Sequence, residues 1–284
     1  MIKRSLYFLS SALRYFSRRD CPYCGSRATQ IIDRKFVVTR LLLCPECRLQ
    51  FRHPHARRFS SVYYNLFYKQ HGITTGLPTD STLAELKKNH FSGTGRNIHL
   101  INQLFTGLGF SPDGKFLLDY GCSWGYMTWQ FAQCGMQVQG YEIAKNRAAF
   151  GQAKLHIPIV SSAGDIGSDF DIIFSSHVIE HLSDIREFTD LTLPKLKPGG
   201  YLIILCPNGS SDFRTKSPMG FHRFWGEVHP NLISDMFFEY VFRNYPCYIS
   251  SAPYSLQSVS NWDQKSHHRA MNGGDELLCI VRKP

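Results

Sequence analysis

The hydrophobic positions of residues 113–284 alternate between short apolar runs and longer segments in which apolar residues recur at helical spacing. The apolar runs predict strands at 116–120, 137–141, 157–160, 170–175 and 201–206, and the segments between them predict helices at 126–134, 144–155 and 184–195. This alternation predicts an α/β fold with a parallel, doubly wound sheet. A helix at 231–243 and two strands at 247–252 and 277–282 are predicted to follow, with a long polar loop between the strands.

The first twenty residues have a different pattern. Apolar side chains recur at helical spacing, basic residues surround them, and no acidic residue precedes position 20; the apolar positions are Ile2, Leu6, Leu9, Leu13 and Phe16. The pattern predicts a basic amphipathic helix over residues 1–20. Three roles are open for it: packing on the protein itself, lying in a membrane interface, or acting as a targeting segment.

Residues 59–112 join the N-terminal part of the chain to the α/β core. They contain two predicted helices, at 83–90 and 98–108, which are separated by Gly93-Thr-Gly95. They also contain an aromatic cluster, which we interpret as packing: Tyr63, Tyr64, Phe67 and Tyr68. We therefore expect a helical linker in this region.

Length and charge limit the classes of protein to which the chain can belong and the partners that it can bind. The 284 residues suffice for one α/β domain of about 150–200 residues with an appendage. No run reaches the roughly 18 apolar residues that a membrane-spanning helix needs. The net charge of +10 lies at one end, because residues 1–60 hold 13 Lys and Arg against 3 Asp and Glu, and the other residues hold 19 of each. The basic end is suited to an anionic membrane surface, to RNA or to an acidic acceptor.

Four of the nine cysteines form a metal-binding pattern over residues 21–58. Cys21, Cys24, Cys44 and Cys47 give the spacing Cys-x2-Cys-x19-Cys-x2-Cys, with two short strand candidates between the pairs. Paired Cys-x-x-Cys knuckles place four thiolates around one tetrahedral Zn²⁺. The sequence therefore predicts a structural zinc ribbon, and cysteines without a disulfide framework indicate a reducing, cytoplasmic setting.

The most informative pattern is a strand that ends at an acid and turns through glycines into a helix. Asp119 ends the run at 116–120, Gly121 and Gly125 follow it, and Glu142 ends the next strand 23 positions after Asp119. Glycine lets the backbone approach a ligand closely, and an acid at the end of the second strand is placed to bind ribose hydroxyls.

Two other readings of the glycines fit less well. Gly121-Cys-Ser-Trp-Gly125 matches the Gly-x-Ser-x-Gly elbow of α/β-hydrolases, but a hydrolase does not need acids at the ends of two neighbouring strands. A dinucleotide-binding domain requires Gly-x-Gly-x-x-Gly, and Ser123 and Tyr126 occupy its second and third glycine positions.

The motifs together resemble the class I S-adenosylmethionine-dependent methyltransferases. Asp119-x-Gly-x-x-x-Gly125 with Glu142 resembles the first two motifs of that family, residues 170–182 resemble its fourth strand and the following loop, and residues 196–208 its fifth strand. The family often has Gly-x-Gly where this chain has Gly121-Cys-Ser123. The resemblance implies a Rossmann-like, seven-stranded sheet over residues 113–284, with the preceding helices as a lid.

The resemblance also implies which residues bind S-adenosylmethionine. Glu142 would bind the ribose, and Asp165 with Ile166 would lie at the adenine. The full expected set is Asp119, Gly121, Ser123, Gly125, Glu142, Asp165, Ile166 and His177. The acceptor side would contain the candidate catalytic residues His177, His181, Glu227 and His229, since imidazole and carboxylate groups can remove a proton near neutral pH.

A zinc ribbon before such a core resembles bacterial enzymes of sugar and polysaccharide biosynthesis. The expectation is methyl transfer to oxygen or carbon of a small molecule or glycan, in the cytoplasm, with peripheral membrane contact through residues 1–20 as an open possibility. An RNA methyltransferase is the alternative that the basic N-terminal part favours, and a non-catalytic module that binds a cofactor or partner is an alternative of another class. The sequence does not indicate the oligomeric state.

Overall fold

The computed structural model describes Leu9 and residues 11–55, 76–95 and 97–284. The predicted aromatic cluster at 63–68, and the predicted amphipathic helix up to position 8, lie outside the described residues.

The N-terminal part of the described chain is a small antiparallel sheet. Its strands are β1 (Gln30–Lys35), β2 (Thr39–Leu43) and β3 (Gln50–His53), and the cysteine pairs lie before β1 and between β2 and β3. The two strands expected between the cysteine pairs are therefore present. Gln30 pairs with Leu43 across the first hairpin, and Leu43 pairs with Gln50 across the second.

Two helices follow, α1 (Asp80–Lys88) and α2 (His99–Gly107). The Thr79 hydroxyl caps α1 by accepting a hydrogen bond from the backbone N–H of Thr82, which satisfies one of the donors that a helix N-terminus leaves without an intrahelical partner. The buried side of α2 packs into the same apolar cluster as Leu117 and Ile203.

The core elements then alternate as the sequence predicts. In chain order they are β4 (Phe116–Tyr120), α3 (Tyr126–Gln133), β5 (Gln137–Tyr141), α4 (Lys145–Leu155), β6 (Ile159–Val160), β7 (Phe170–Ser176), α5 (Ile185–Lys195), β8 (Leu196–Pro207), α6 (Ser211–Lys216), α7 (Pro218–Phe224), β9 (Asn231–Leu232), α8 (Asp235–Val241), β10 (Cys247–Ser251), α9 (Leu256–Ser260), β11 (His267–Ala270) and β12 (Glu276–Arg282). Short 3₁₀ turns lie at Ala163–Asp165 and Ile179–His181.

The central sheet has the strand order β11-β10-β12-β8-β7-β4-β5-β6. The strands from β8 to β6 are parallel, whereas β12 runs antiparallel to both β8 and β10. This confirms the doubly wound class I methyltransferase architecture. One expectation is corrected: the polar loop before β12 contains α9 and β11, and β11 adds an eighth strand beside the expected seven.

The predicted helix at 231–243 is also corrected, because its first residues are extended. Asn231 and Leu232 form β9, which pairs with Phe51 and Gln50 of β3. The helix begins only after Ser234, whose hydroxyl accepts the backbone N–H of Phe237. The ribbon strands thus gain a fourth strand from a segment about 180 positions later in the chain, which the local apolar spacing does not reveal.

The ribbon is consequently joined to the core. The Gln50 side chain donates to the Gly209 carbonyl at 2.6 Å, and the Arg52 backbone N–H donates to the Pro230 carbonyl at 2.7 Å. The cysteines at 21, 44 and 47 belong to the same apolar cluster as α8 and β10. The predicted domain boundaries at residues 20, 58 and 112 remain predictions. Across the boundary at 58, however, β3 and β9 belong to the same sheet.

Residues 11–13 are helical, and their polar side contacts the ribbon. Arg52 donates to the Ser11 hydroxyl at 2.7 Å, and Arg14 donates to the His55 carbonyl at 2.9 Å. The apolar side faces outward, with Leu13 85% exposed and Phe16 94% exposed. Among the described residues, no helix combines the length and apolar character that crossing a membrane requires.

Candidate functional site

A cavity of about 740 Å³ opens at the carboxyl ends of β4, β5 and β7. This is the edge at which an open α/β sheet binds its ligands. The final strand β12 runs antiparallel, so its first residue reaches the same edge. The lining includes residues from each of these elements: Gly121, Ser123, Glu142, His177, Glu180, His181, Glu187, His229 and Glu276.

The turn after β4 requires glycine for two physical reasons. Gly121 and Gly125 have φ of 80° and 81°, a region that side chains with a Cβ rarely adopt. A Cβ at Gly121 would also overlap the Val178 side chain, and one at Gly125 would overlap Ile157. The glycines thus permit close internal packing, and Gly121 additionally lines the cavity, whereas Gly125 does not.

Glu142 is held at the cavity wall by backbone donors. One carboxylate oxygen accepts the N–H of Ser123 at 3.0 Å, and the other accepts the N–H of Ala144 at 2.7 Å. Burial raises the pKa of the carboxyl group, and these two hydrogen bonds oppose that rise. Each oxygen has further acceptor capacity, so the group can accept a pair of vicinal hydroxyls.

Asp119 lies beneath the glycine turn, outside the cavity lining, and is 3% exposed. The Thr128 hydroxyl donates to its carboxylate at 2.6 Å. Burial raises the pKa of Asp119 to about 7, and the bond from Thr128 opposes that rise. The two adenine-side candidates also lie outside the lining: Asp165 is exposed in its 3₁₀ turn, and Ile166 is buried. Their assignment to the cofactor stays a prediction.

His177 lies directly after β7 with φ of 54°. Its Nε2 is 2.7 Å from Glu276 Oε1, and its Nδ1 is 3.5 Å from Glu180 Oε1. Burial lowers its pKa, but the two carboxylates outweigh that effect and raise the pKa to about 10. At neutral pH the ring is therefore protonated and suited to donating a proton or hydrogen bond rather than accepting a proton.

Two residues of this network were missed by the sequence reasoning. Glu276 bonds to His177, and the Tyr254 hydroxyl donates to the other Glu276 oxygen at 2.7 Å. An available signal was the position of Glu276 at the head of the last strand, because an antiparallel strand begins where its parallel neighbours end.

A second group of side chains lies at the same end of the cavity. Glu180 is 1% exposed, and the Nδ1 atoms of His181 and His229 lie 2.7 Å from the carbonyls of Val228 and Phe224. Burial raises the pKa of Glu180, but the neighbouring His181 and His177 outweigh that effect and lower it. The structure thus brings together three of the four catalytic candidates, whereas Glu227 does not line the cavity.

The ribbon helps to position His229. This histidine lies two residues before β9, which pairs with the ribbon strand β3. The Asn231 side chain of β9 donates to the Leu182 carbonyl at 2.7 Å, beside the turn that carries His181. Hydrogen bonds therefore connect the ribbon, through β9, to the turn that carries His181.

The four ribbon cysteines form a second candidate site, remote in sequence from the cavity. Their Sγ atoms lie within 4.8 Å of one another, with separations of 3.5 Å for Cys21–Cys47 and 3.4 Å for Cys24–Cys44. Thiolates about 2.3 Å from a tetrahedral zinc would lie about 3.8 Å apart, so a small outward shift would accommodate the ion. The donor set thus fits Zn²⁺.

Comparison with known proteins places most of the residues that line the cavity within one family model. A family model described as a methyltransferase domain matches residues 91–245, which include the glycine turn, Glu142 and the His177–His181 segment. A ubiquinone biosynthesis O-methyltransferase of Brucella ovis is 32% identical over 107 residues, which are 34% of this chain and 42% of the relative. The corresponding enzyme of Nitrobacter winogradskyi is 33% identical over 97 residues, or 31% and 37% of the two chains. The chain thus spans less than half the length of these curated relatives.

Solved structures share the fold at low sequence identity. A plantazolicin methyltransferase in complex with SAH has a TM-score of 0.52 and 13% identity, with 80% of this chain and 95% of that chain covered. Phosphoethanolamine N-methyltransferase 2 of Haemonchus contortus, in complex with S-adenosyl-L-methionine, has a TM-score of 0.50 and 17% identity, with 79% and 60% covered.

Proposed function

Because this chain belongs to the methyltransferase domain family, we propose that it transfers a methyl group from S-adenosylmethionine to oxygen or carbon of a small-molecule or glycan acceptor. The observation that carries the proposal is Glu142, a buried carboxylate held by two backbone N–H groups at the cavity wall beside the glycine turn. When bound, the cofactor supplies an electrophilic methyl group on a sulfonium, whose sulfur keeps the electron pair of the broken bond.

On the cofactor side, the chain's own groups match the chemistry of the ligand. Glu142 would accept hydrogen bonds from the ribose hydroxyls, while Gly121 and Ser123 would place backbone against the ligand. Asp119, beneath this turn, would favour a positive ligand through its charge when ionised. Asp165 and Ile166 are proposed for the adenine on the family resemblance alone.

On the acceptor side, the candidate groups differ in what they can do. His177, paired with Glu276, would donate a hydrogen bond and stabilise negative charge on an acceptor oxygen. His181 and His229 would present Nε2 lone pairs, which can accept a proton from an acceptor hydroxyl. The curated relatives are named O-methyltransferases, which supports an oxygen acceptor.

The ribbon cysteines are proposed to hold one structural zinc. Four thiolates close a tetrahedral site, so the ion would stabilise the ribbon and take no part in the transfer. Through the pairing of β3 with β9, the same ion would help to hold the segment that carries His229.

Two measurements test the proposed function. Calorimetry should show binding of S-adenosylhomocysteine, and incubation with methyl-labelled cofactor and a polar-metabolite or glycan extract should yield labelled products by mass spectrometry. Binding without any labelled product would favour the non-catalytic module, and label confined to added RNA would favour the RNA methyltransferase.

A further inference from the structure

The acceptor end of the cavity contains a carboxylate that the described structure leaves without a hydrogen-bond donor. Glu180 is 1% exposed, and neither of its oxygens has a hydrogen-bond partner. The protonated His177 ring compensates Glu180 only from a distance, with Nδ1 3.5 Å from Glu180 Oε1, while its Nε2 makes the short contact, 2.7 Å, with Glu276. An ionised carboxylate in such a place costs several kcal/mol unless a cation or donors compensate it.

The two neighbouring histidines have the orientation of metal ligands. The Nδ1 atoms of His181 and His229 each lie 2.7 Å from a backbone carbonyl, which can only accept a hydrogen bond. Both Nδ1 atoms must therefore carry the hydrogen, and a neutral ring then has its lone pair on Nε2. A histidine that binds a metal through one nitrogen usually donates from the other to a carbonyl or carboxylate in this way.

The three side chains also lie close enough to share one ion. A ligand atom from each of Glu180, His181 and His229 lies within 4.8 Å of the other two, and His181 Nε2 is 3.7 Å from Glu180 Oε1. Ligands about 2.0–2.2 Å from a divalent metal lie about 3–3.6 Å apart, so an inward shift of up to about 1 Å would bring all three side chains onto one ion. All three residues line the cavity, so coordination positions not filled by protein would face the acceptor.

We propose that Glu180, His181 and His229 bind one divalent transition-metal ion, separate from the ribbon zinc, and that this ion binds the acceptor. Two imidazoles and one carboxylate suit Mn²⁺, Fe²⁺ or Zn²⁺ and leave positions open for substrate. Resting on the proposed function, this favours an acceptor with two adjacent oxygens, which can occupy neighbouring positions on the ion. Coordination would lower the pKa of the oxygen that is to be methylated, so that its proton can pass to solvent. The ion would then replace His181 and His229 as proton acceptors, because it occupies their Nε2 lone pairs.

The direct test is the binding of Mn²⁺ to the full-length protein with its ribbon metal in place, followed by electron paramagnetic resonance and calorimetry. Wild type should bind one Mn²⁺. Loss of a residue that merely orients a ligand costs about 10–100-fold in affinity, so Glu180→Gln, which removes a ligand, should cost at least about tenfold. Glu187→Gln removes a carboxylate that lines the same cavity but is not one of the three proposed ligands. This control variant should leave the affinity for Mn²⁺ unchanged.

The histidines supply a spectroscopic readout. Pulsed electron paramagnetic resonance should detect two imidazole nitrogens coordinated to Mn²⁺ in wild type and one in His229→Gln. This second variant also tests the site if Glu180→Gln does not fold. The proposal would be overturned if wild type bound no Mn²⁺. It would also be overturned if wild type, Glu180→Gln and His229→Gln bound Mn²⁺ with equal affinity.

Calorimetry with S-adenosylhomocysteine separates this proposal from the proposed function. If the nucleoside binds and Mn²⁺ does not, only the metal site is refuted. If Mn²⁺ binds at the three proposed ligands and the nucleoside does not bind, the metal site stands and methyl transfer is refuted.

Discussion

Asp119→Asn should stabilise the ligand-free protein, and more so at high pH. The carboxyl group is 3% exposed, and its pKa is about 7 in the folded protein against an ordinary value of 3.8. A group whose folded-state pKa is raised stabilises the fold most below its unfolded pKa, and that stability is lost as the pH rises through the folded pKa. Replacing the carboxyl group with an amide, which does not titrate, should remove this loss of stability at high pH.

The magnitude follows from the two pKa values. A difference of about 3 units corresponds to about 4 kcal/mol once both states are ionised. Between pH 5.5 and 8.5 the unfolded side chain is already ionised while the folded one becomes so, and this window accounts for about 2 kcal/mol. Asparagine has the same shape and can still accept the hydrogen bond from Thr128. The free energy of unfolding of Asp119→Asn, relative to wild type, should therefore rise by about 2 kcal/mol over this interval.

Urea denaturation at pH 5.5 and 8.5 measures this difference, and comparison with wild type at each pH cancels the other titrating groups. Asp190→Asn is the matched control, since it makes the same change at an exposed position on α5 and should alter stability by less than about 0.5 kcal/mol at either pH. A stability difference between Asp119→Asn and wild type that is identical at the two pH values would refute the reasoning, because the folded carboxyl group would then titrate as in the unfolded chain.

Three further predictions concern the cofactor, the ribbon and the N-terminal segment. Glu142→Ala should weaken S-adenosylhomocysteine binding by roughly 1.5–3 kcal/mol, the worth of a hydrogen bond to a charged group, and unchanged affinity in calorimetry would remove the ribose assignment. Protein purified without chelator should contain one zinc per chain, which Cys24→Ser should lose. The variant should still bind the nucleoside but should bind Mn²⁺ more weakly, because β9 and His229 lose the support of the ribbon. Absence of zinc from wild type would disprove the ribbon site. Anionic vesicles at low salt should bind wild type more strongly than Leu13→Asp, by about 1.5–3 kcal/mol for one buried leucine, and equal binding would argue that this exposed apolar side does not enter a membrane interface.

The sequence alone determined the features that depend on neighbouring residues. The apolar pattern placed the strands and helices of the core, because a helix buries one face and a central parallel strand is buried on both faces, and each pattern lies within one short segment. The acid at the end of β5 and the glycines after β4 predicted the edge of the sheet at which the cavity opens, since parallel strands all end there. The cysteine spacing identified the ribbon, because each Cys-x-x-Cys pair forms its knuckle locally.

Tertiary structure decided what depends on pairing between distant segments. The apolar residues at 231–232 fit a helix by spacing, and only the free edge of β3 makes them a strand. Glu276 reaches the cavity because β12 reverses the direction of the sheet, and His229 meets Glu180 and His181 because β9 joins the ribbon to the core. The titration of His177 and Asp119 likewise follows from burial and from partners up to 99 positions away, which the local sequence does not encode.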